Sequence, residues 1–190
     1  MKNIVIACGG TGGHLTPGIA LAQRLEERGN PSWLLISQKA VDSRLSRKYP
    51  KLSFESMPGA PMIKSPIGLA RFGAGFIFSF IRSYRFYGKI GADAMVGFGG
   101  FSSFGPAMAA HARGIPVFIH EANRAVGKAV RFLAKRSTRL YLPEGIPSTV
   151  PYKFQLYFNC PPPTFEVRSL RFIDGGETFD CACSPNVFLA

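Results

Sequence analysis

Three short stretches of the chain bring together residue types that handle phosphate, protons and sugar hydroxyls. The first, Gly9-Gly10-Thr11-Gly12-Gly13-His14, follows directly on the apolar run Ile4 to Cys8. The second, Gly97-Phe98-Gly99-Gly100-Phe101-Ser102-Ser103, follows another short apolar run that starts at Ala94. The third, His120-Glu121-Ala122-Asn123, offers a base, a carboxylate and an amide in one loop. A glycine turn after a parallel strand and before a helix aims backbone N–H groups and the positive helix end at one point, where phosphate is the natural occupant. The first turn is neither Gly-x-Gly-x-x-Gly nor a Walker loop, since Gly-Lys-Ser and Gly-Lys-Thr are absent, so dehydrogenase and ATPase readings lose support.

His14 stands at the start of a predicted helix, where the helix dipole disfavours the imidazolium and keeps the ring neutral, as a proton acceptor must be. The competing reading is a capping or packing histidine. His120-Glu121 is not the zinc motif His-Glu-x-x-His, because Arg124 stands at the last position. An asparagine amide can bind a sugar hydroxyl or a pyrophosphate oxygen; His120 and Glu121 can equally serve to hold their loop by local hydrogen bonds. Cys8, Cys160, Cys181 and Cys183 form no CxxC pair and have no companions at zinc-site spacing, so no metal is expected.

The elements that must carry these stretches alternate along the chain. Asn3 to Cys8 reads as a buried strand, and Thr16-Pro17 as the N-cap and first turn of a helix that ends before Gly29. Ser32 to Ser37 and Leu52 to Ser56 are further strands, with a basic helix over Val41 to Tyr49 between them. Ala94 to Phe98, Val117 to Ile119 and Arg139 to Leu142 are strands too, separated by helices from Phe104 to Arg113 and from Ala125 to Lys135. This alternation predicts an α/β fold, a Rossmann-like doubly wound parallel sheet with both glycine turns at its carboxyl edge, where such sheets bind ligands.

The charge is unevenly placed. Up to Val150 the chain has 20 Lys and Arg against 7 Asp and Glu, and beyond it 3 against 4. Such a field favours a polyanionic partner, which can be nucleic acid, an anionic membrane surface or a diphosphate. Nucleic acid accounts for the charge but not for the paired glycine turns. Between Pro66 and Ile81 the chain is almost continuously apolar, with Ile67, Leu69, Phe72, Phe76 and Phe80 flanked by Lys64, Arg82, Arg85 and Lys89. The run is shorter than the ~20 residues of a membrane-spanning helix. It suits an interfacial segment whose aromatics enter the acyl layer while cations meet headgroups, or else a buried core helix. The amino-terminal apolar run is too short for a signal peptide, so the chain is expected to stay in the cytoplasm.

Gly9 to Gly18, then Gly97-Phe98-Gly99-Gly100-Phe101, then Gly114-Ile115-Pro116-Val117 running to Asn123 resemble, in order and spacing, the MurG family of peptidoglycan UDP-GlcNAc:lipid I N-acetylglucosaminyltransferases. The resemblance covers about residues 1 to 145. It implies the N-terminal half of a GT-B fold, the half that binds the membrane-anchored acceptor, and an inverting transfer of GlcNAc from UDP-GlcNAc to lipid I, giving lipid II, with no cofactor and no obligatory catalytic metal. It implies that Thr11, Gly12, Gly13 and Asn123 contact the donor, that His14 is the candidate base, and that Gly99 and Gly100 line the acceptor diphosphate pocket. It further implies that Lys64, Ile67, Leu69, Phe72, Phe76, Phe80, Arg82 and Arg85 form a membrane-docking patch, on a protein peripheral to the cytoplasmic face of the bacterial inner membrane.

Past residue 145 the resemblance stops. Pro147, Pro151 and Pro161-Pro162-Pro163 are expected to break regular structure, and a donor-binding domain needs roughly 100 to 150 residues where 45 remain. Residues 146–190 are therefore expected to be an atypical tail, truncated or frame-shifted, and the donor domain to be absent. The expected consequence is a half-enzyme, or the membrane-docked subunit of a transferase whose donor-binding part is a separate chain. The alternative from another class is a non-catalytic module for anionic lipid diphosphate.

Overall fold

The computed structural model describes residues 1–10, 12–58, 65–121 and 126–143, together with the strands 155–158, 170–174 and 177–181. Strands β1 (Ile4–Ala7), β2 (Ser32–Ile36), β3 (Ser53–Ser56), β4 (Ala94–Gly97), β5 (Val117–His120), β6 (Arg139–Pro143) and β7 (Gln155–Phe158) form one sheet in the order β3-β2-β1-β4-β5-β6-β7. Every pairing in it is parallel. Chain order reverses between β1 and β4, and a sheet wound this way opens a crevice at that point, beyond the carboxyl ends of both strands. The two glycine turns follow these same two strands.

Helices cover both faces because the central strands are apolar on both sides. Alternation along β1 sends Val5 and Ala7 to one face and Ile6 and Cys8 to the other. On the Ile6 side, α1 (Gly12–Glu27) contributes Leu15, Ile19, Leu21 and Ala22 to the core. On the Val5 side, α3 (Pro66–Ile90), α4 (Phe104–Ala112) and α5 (Lys128–Ala134) contribute Tyr87, Ala107, Ala110, Val130 and Leu133. The short helix α2 (Ala40–Ser46) links β2 to β3.

The longest helix, α3, has sequence-encoded ends. Ser65 caps it by accepting the Gly68 N–H at 3.0 Å, Pro66 occupies the first turn, and Gly91 closes it in the left-handed conformation with φ 62°. No helix among the described residues is long and apolar enough to cross a membrane.

Two expectations change. Helix α1 begins at Gly12, a full turn before Thr16, and Pro17 lies inside it. A proline that early forgoes only the bond to the Gly13 carbonyl, so the turn before it can still be helical. His14 consequently belongs to the first turn. Beyond Pro143, where proline content predicts no regular element, β7 extends the sheet beside β6, and β8 (Leu170–Asp174) pairs antiparallel with β9 (Glu177–Cys181). The strands occupy proline-free stretches of sequence.

Candidate functional site

The first glycine turn is pressed onto the end of β2. A methyl group at Gly9 would lie 2.2 Å from the Ser37 nitrogen, so only a residue without a side chain lets the turn pass there. Three side chains then hold it. Asp42, fully buried at the start of α2, accepts the Gly10 N–H at 2.8 Å through Oδ2. The Lys39 ammonium donates to the Gly10 carbonyl at 2.8 Å, and the Ser102 hydroxyl, from the second turn, donates to the Gly9 carbonyl. The two turns are thus tied together across the switch point.

The second turn is built from Gly99 and Gly100, both at positive φ (77° and 73°). Ser103 steadies it by donating to the Gly99 carbonyl at 2.7 Å and the Gly100 carbonyl at 3.1 Å. The bare Cα of Gly100 accommodates the His14 ring: a methyl there would be 3.3 Å from Cε1 and 3.5 Å from Nδ1. The structure therefore joins His14 to Gly100, predicted members of one site that are 86 positions apart in the chain.

Behind Gly99 stands Glu121, buried at the end of β5. Its Oε1 would be 3.9 Å from a methyl at Gly99, and its Oε2 accepts the Gly127 N–H at 3.1 Å, at the N-cap of α5. Glu121 therefore ties the end of β5 to α5. The neighbouring His120 is buried, with its ring 5.1 Å from that of Phe98. Burial and the nearby His14 push its pKa down to about 4, which makes it a neutral wall of the site.

His14 is half-buried. Burial lowers its pKa, while the carboxylates of Glu121 and Asp42 act in the opposite direction. The outcome is a ring that is neutral near pH 7 yet faces negative charge that would stabilise it once protonated. A neutral imidazole so placed can take a proton from a hydroxyl held between the two turns. Gly13 has open space around it, with nothing within 4 Å of a methyl added there, and Gly12 begins α1. Thr11, Asn123 and Lys64 lie outside the described residues. Among the described residues no group of three or more His, Cys, Asp and Glu side chains is placed to hold a metal ion.

Asp42 and Lys39 are the residues around the site that motif reading passes over, and Ser102, though inside the second motif, carries no assigned role there. The available signal was slight: Asp42 is the one acid in the otherwise basic stretch Val41 to Tyr49.

The predicted membrane patch divides into two stripes of α3. Phe72, Phe76 and Phe80, predicted members of the docking patch with a core helix as the alternative, are half-buried: Phe72 meets Phe101 at 5.6 Å between ring centres, and Phe76 meets Phe104 at 5.2 Å. Their four-residue spacing puts them on one stripe, which α4 covers. The outer surface is carried by Ile67, Leu69, Ile77, Phe78 and Ile81, with Phe78 65% and Ile67 75% exposed. Arg82 pairs with Glu55 at 2.5 Å. With Arg85, Phe78, Ile81, Gln38 and Pro58 it lines a groove of about 450 Å³.

The N-terminal domain of glycosyltransferase family 28 matches residues 4–142. A UDP-N-acetylglucosamine--N-acetylmuramyl-(pentapeptide) pyrophosphoryl-undecaprenol N-acetylglucosamine transferase of Opitutus terrae is 47% identical over 152 residues, 77% of this chain and 39% of that protein. The protein of the same name from Rhizobium meliloti is 36% identical over 146 residues, 75% of this chain and 38% of its own length. The chain thus spans about two fifths of the curated relatives it matches. Among solved structures, Acinetobacter baumannii MurG superposes with a TM-score of 0.69 at 22% identity, over 83% of this chain and 45% of that one. The Streptomyces glycosyltransferase SsfS6 superposes with a TM-score of 0.55 at 12% identity, over 80% and 53%.

Proposed function

The chain belongs to glycosyltransferase family 28 through that family's N-terminal domain, within the MurG group and with the GT-B type of α/β fold, and from this premise we propose that it forms the acceptor-side wall of a GlcNAc transferase of peptidoglycan synthesis. The reaction moves GlcNAc from UDP-GlcNAc to the 4-hydroxyl of the muramoyl sugar of lipid I, giving lipid II with inversion. His14 takes the hydroxyl proton as that oxygen bonds to the anomeric carbon, and the bond from that carbon to UDP breaks, with UDP carrying away the electron pair. Gly99 and Gly100 receive the acceptor diphosphate on their backbone N–H groups. Gly12 and Gly13, with Thr11 and Asn123, border the donor.

One observation carries this reading: a half-buried His14 lies over Gly100, between two phosphate-type turns tied together at the switch point of the sheet. The exposed apolar stripe of α3, rimmed by arginines, supports a peripheral position on the cytoplasmic face of the bacterial inner membrane. There the acceptor's lipid tail stays in the bilayer while its headgroup enters the crevice. Transition-state placement needs both reactants held, so transfer requires a donor-binding unit, in the same chain or in a partner.

The test is radiolabelled GlcNAc transfer from UDP-GlcNAc to a short-chain lipid I analogue, with the chain alone and with a carboxyl-terminal donor domain supplied. Product is expected with the donor domain. It should fall about 10²- to 10⁴-fold in His14→Ala, as for the loss of a general base. A folded chain giving no product in either setting overturns the transferase reading, and retained binding to lipid diphosphate would then mark a non-catalytic module.

A further inference from the structure

Asp42 is a carboxylate with no exposed surface, on a helix whose other charged residue is basic. Its two oxygens are used very differently. Oδ2 accepts the Gly10 N–H at 2.8 Å, the Ser37 N–H at 2.9 Å and the Ser37 hydroxyl at 2.6 Å. Oδ1 is buried without a hydrogen-bond partner. A buried carboxylate with half its acceptor capacity unmet is costly, and an apolar residue would fill the place without that cost. What the carboxylate supplies here is specific. It pins the N–H of Gly10 while Lys39 pins the carbonyl of the same residue, and Ser102 holds the preceding carbonyl from the other side of the crevice. Four residues beyond that clamp is His14.

We infer that Asp42 is a positioning residue of the transfer site: its buried carboxylate clamps the first glycine turn to the end of β2 and sets a fixed negative charge within electrostatic reach of His14. The inference rests on the reading of His14 as the base. The charged and titratable groups around that ring are Asp42 from α2, Glu121 and His120 from the end of β5, the Lys39 ammonium on the Gly10 carbonyl, and the positive end of α1. Asp42 and Glu121 favour protonation of His14 from two different elements. Removing either should leave a weaker base.

The experiment uses the full chain, whose size suits solution NMR. The Gly10 amide and the His14 ring are followed through a pH titration in the wild type, Asp42→Asn and Asp42→Ala. Asparagine can place its oxygen where Oδ2 stands, so Asp42→Asn should keep the resonances of the sheet and the Gly10 hydrogen bond. Its His14 should nevertheless titrate at lower pH than in the wild type, because the charge is gone. Asp42→Ala should free the Gly10 amide, whose exchange with solvent accelerates by about tenfold or more with loss of a charge-assisted bond. With a donor domain supplied, Asp42→Asn should lower kcat, leave the KM for UDP-GlcNAc unchanged and move the acid limb of the pH–rate profile to lower pH. A purely structural residue would not move that limb.

An unchanged His14 titration in a folded Asp42→Asn chain overturns the inference, even if Asp42→Ala fails to fold. Absence of transfer by the wild type with a supplied donor domain, alongside a shifted His14, overturns the transferase reading and supports the coupling between Asp42 and His14.

Discussion

Gly9 and Gly13 belong to one glycine string, yet a methyl group at each should change stability in opposite directions. At Gly9 the new carbon would lie 2.2 Å from the Ser37 nitrogen and 2.7 and 2.8 Å from the carbonyl carbon and Cα of Ile36. All three are backbone atoms at the end of a central strand, so relief requires β1 and β2 to part by several tenths of an ångström where both are buried. Overpacking of this kind costs about 1–3 kcal/mol where side chains can yield, and a backbone obstacle puts Gly9→Ala at about 3 kcal/mol or above. At roughly 2–4 °C per kcal/mol for a domain of this size, the midpoint should fall by about 6–12 °C. Gly13 has nothing within 4 Å of the added carbon and lies in a helix. There alanine should stabilise by up to about 1 kcal/mol, by narrowing the unfolded ensemble. Thermal and urea unfolding followed by circular dichroism measures both. Gly9→Ala within about 1 kcal/mol of wild type, or Gly13→Ala as damaging as Gly9→Ala, would refute the packing argued here. The pair also separates folding from the proposed function: Gly13→Ala should fold better and, on the reading of this turn as a ligand wall and with a donor domain supplied, transfer GlcNAc worse, because it fills open space beside the turn.

Acid should destabilise the chain through His120. Its folded pKa of about 4 lies below the ordinary value near 6.5, so the unfolded state binds the extra proton; the contribution is fully present above about pH 6.5 and is lost as pH falls towards 4. The loss is of order 3 kcal/mol, and urea midpoints between pH 4 and 7 should show a shallower fall in His120→Gln. On the outer stripe of α3, Phe78→Ser and Ile81→Ser should change stability by less than about 0.5 kcal/mol, as exposed sites do, while reducing co-sedimentation with phosphatidylglycerol vesicles. Equal sedimentation by the double variant and the wild type would remove that stripe from the membrane contact. Ser65→Ala should cost about 1 kcal/mol by uncapping α3, read from the same unfolding curves.

What the sequence disclosed and what it withheld follow from the range of the forces involved. Strands β1 and β4 and the turns after them were legible because a short apolar run stopped by paired glycines is a local signal. The start of α1 was not, because Pro17 is locally the better first-turn residue, and the earlier start that brings His14 over Gly100 is a contact between turns far apart in sequence. Helix α3 is apolar all round, so its period alone could not say which stripe α4 would cover; that choice turned Phe72 and Phe76 inward and left Phe78 outside. Asp42 was hidden for a related reason, since an acid in a basic helix reads as part of a solvated face until the fold brings Gly10 and Ser37 to it. The glycine motifs therefore point to the family, whereas the surroundings of His14 come from the fold: burial lowers its pKa, and Glu121 from the end of β5 and Asp42 from α2 oppose that shift. On the proposed function, relatives that keep every glycine but lack those two carboxylates should keep phosphate binding with a weaker base at His14, and removing either carboxylate from this chain is the direct way to separate binding from proton transfer.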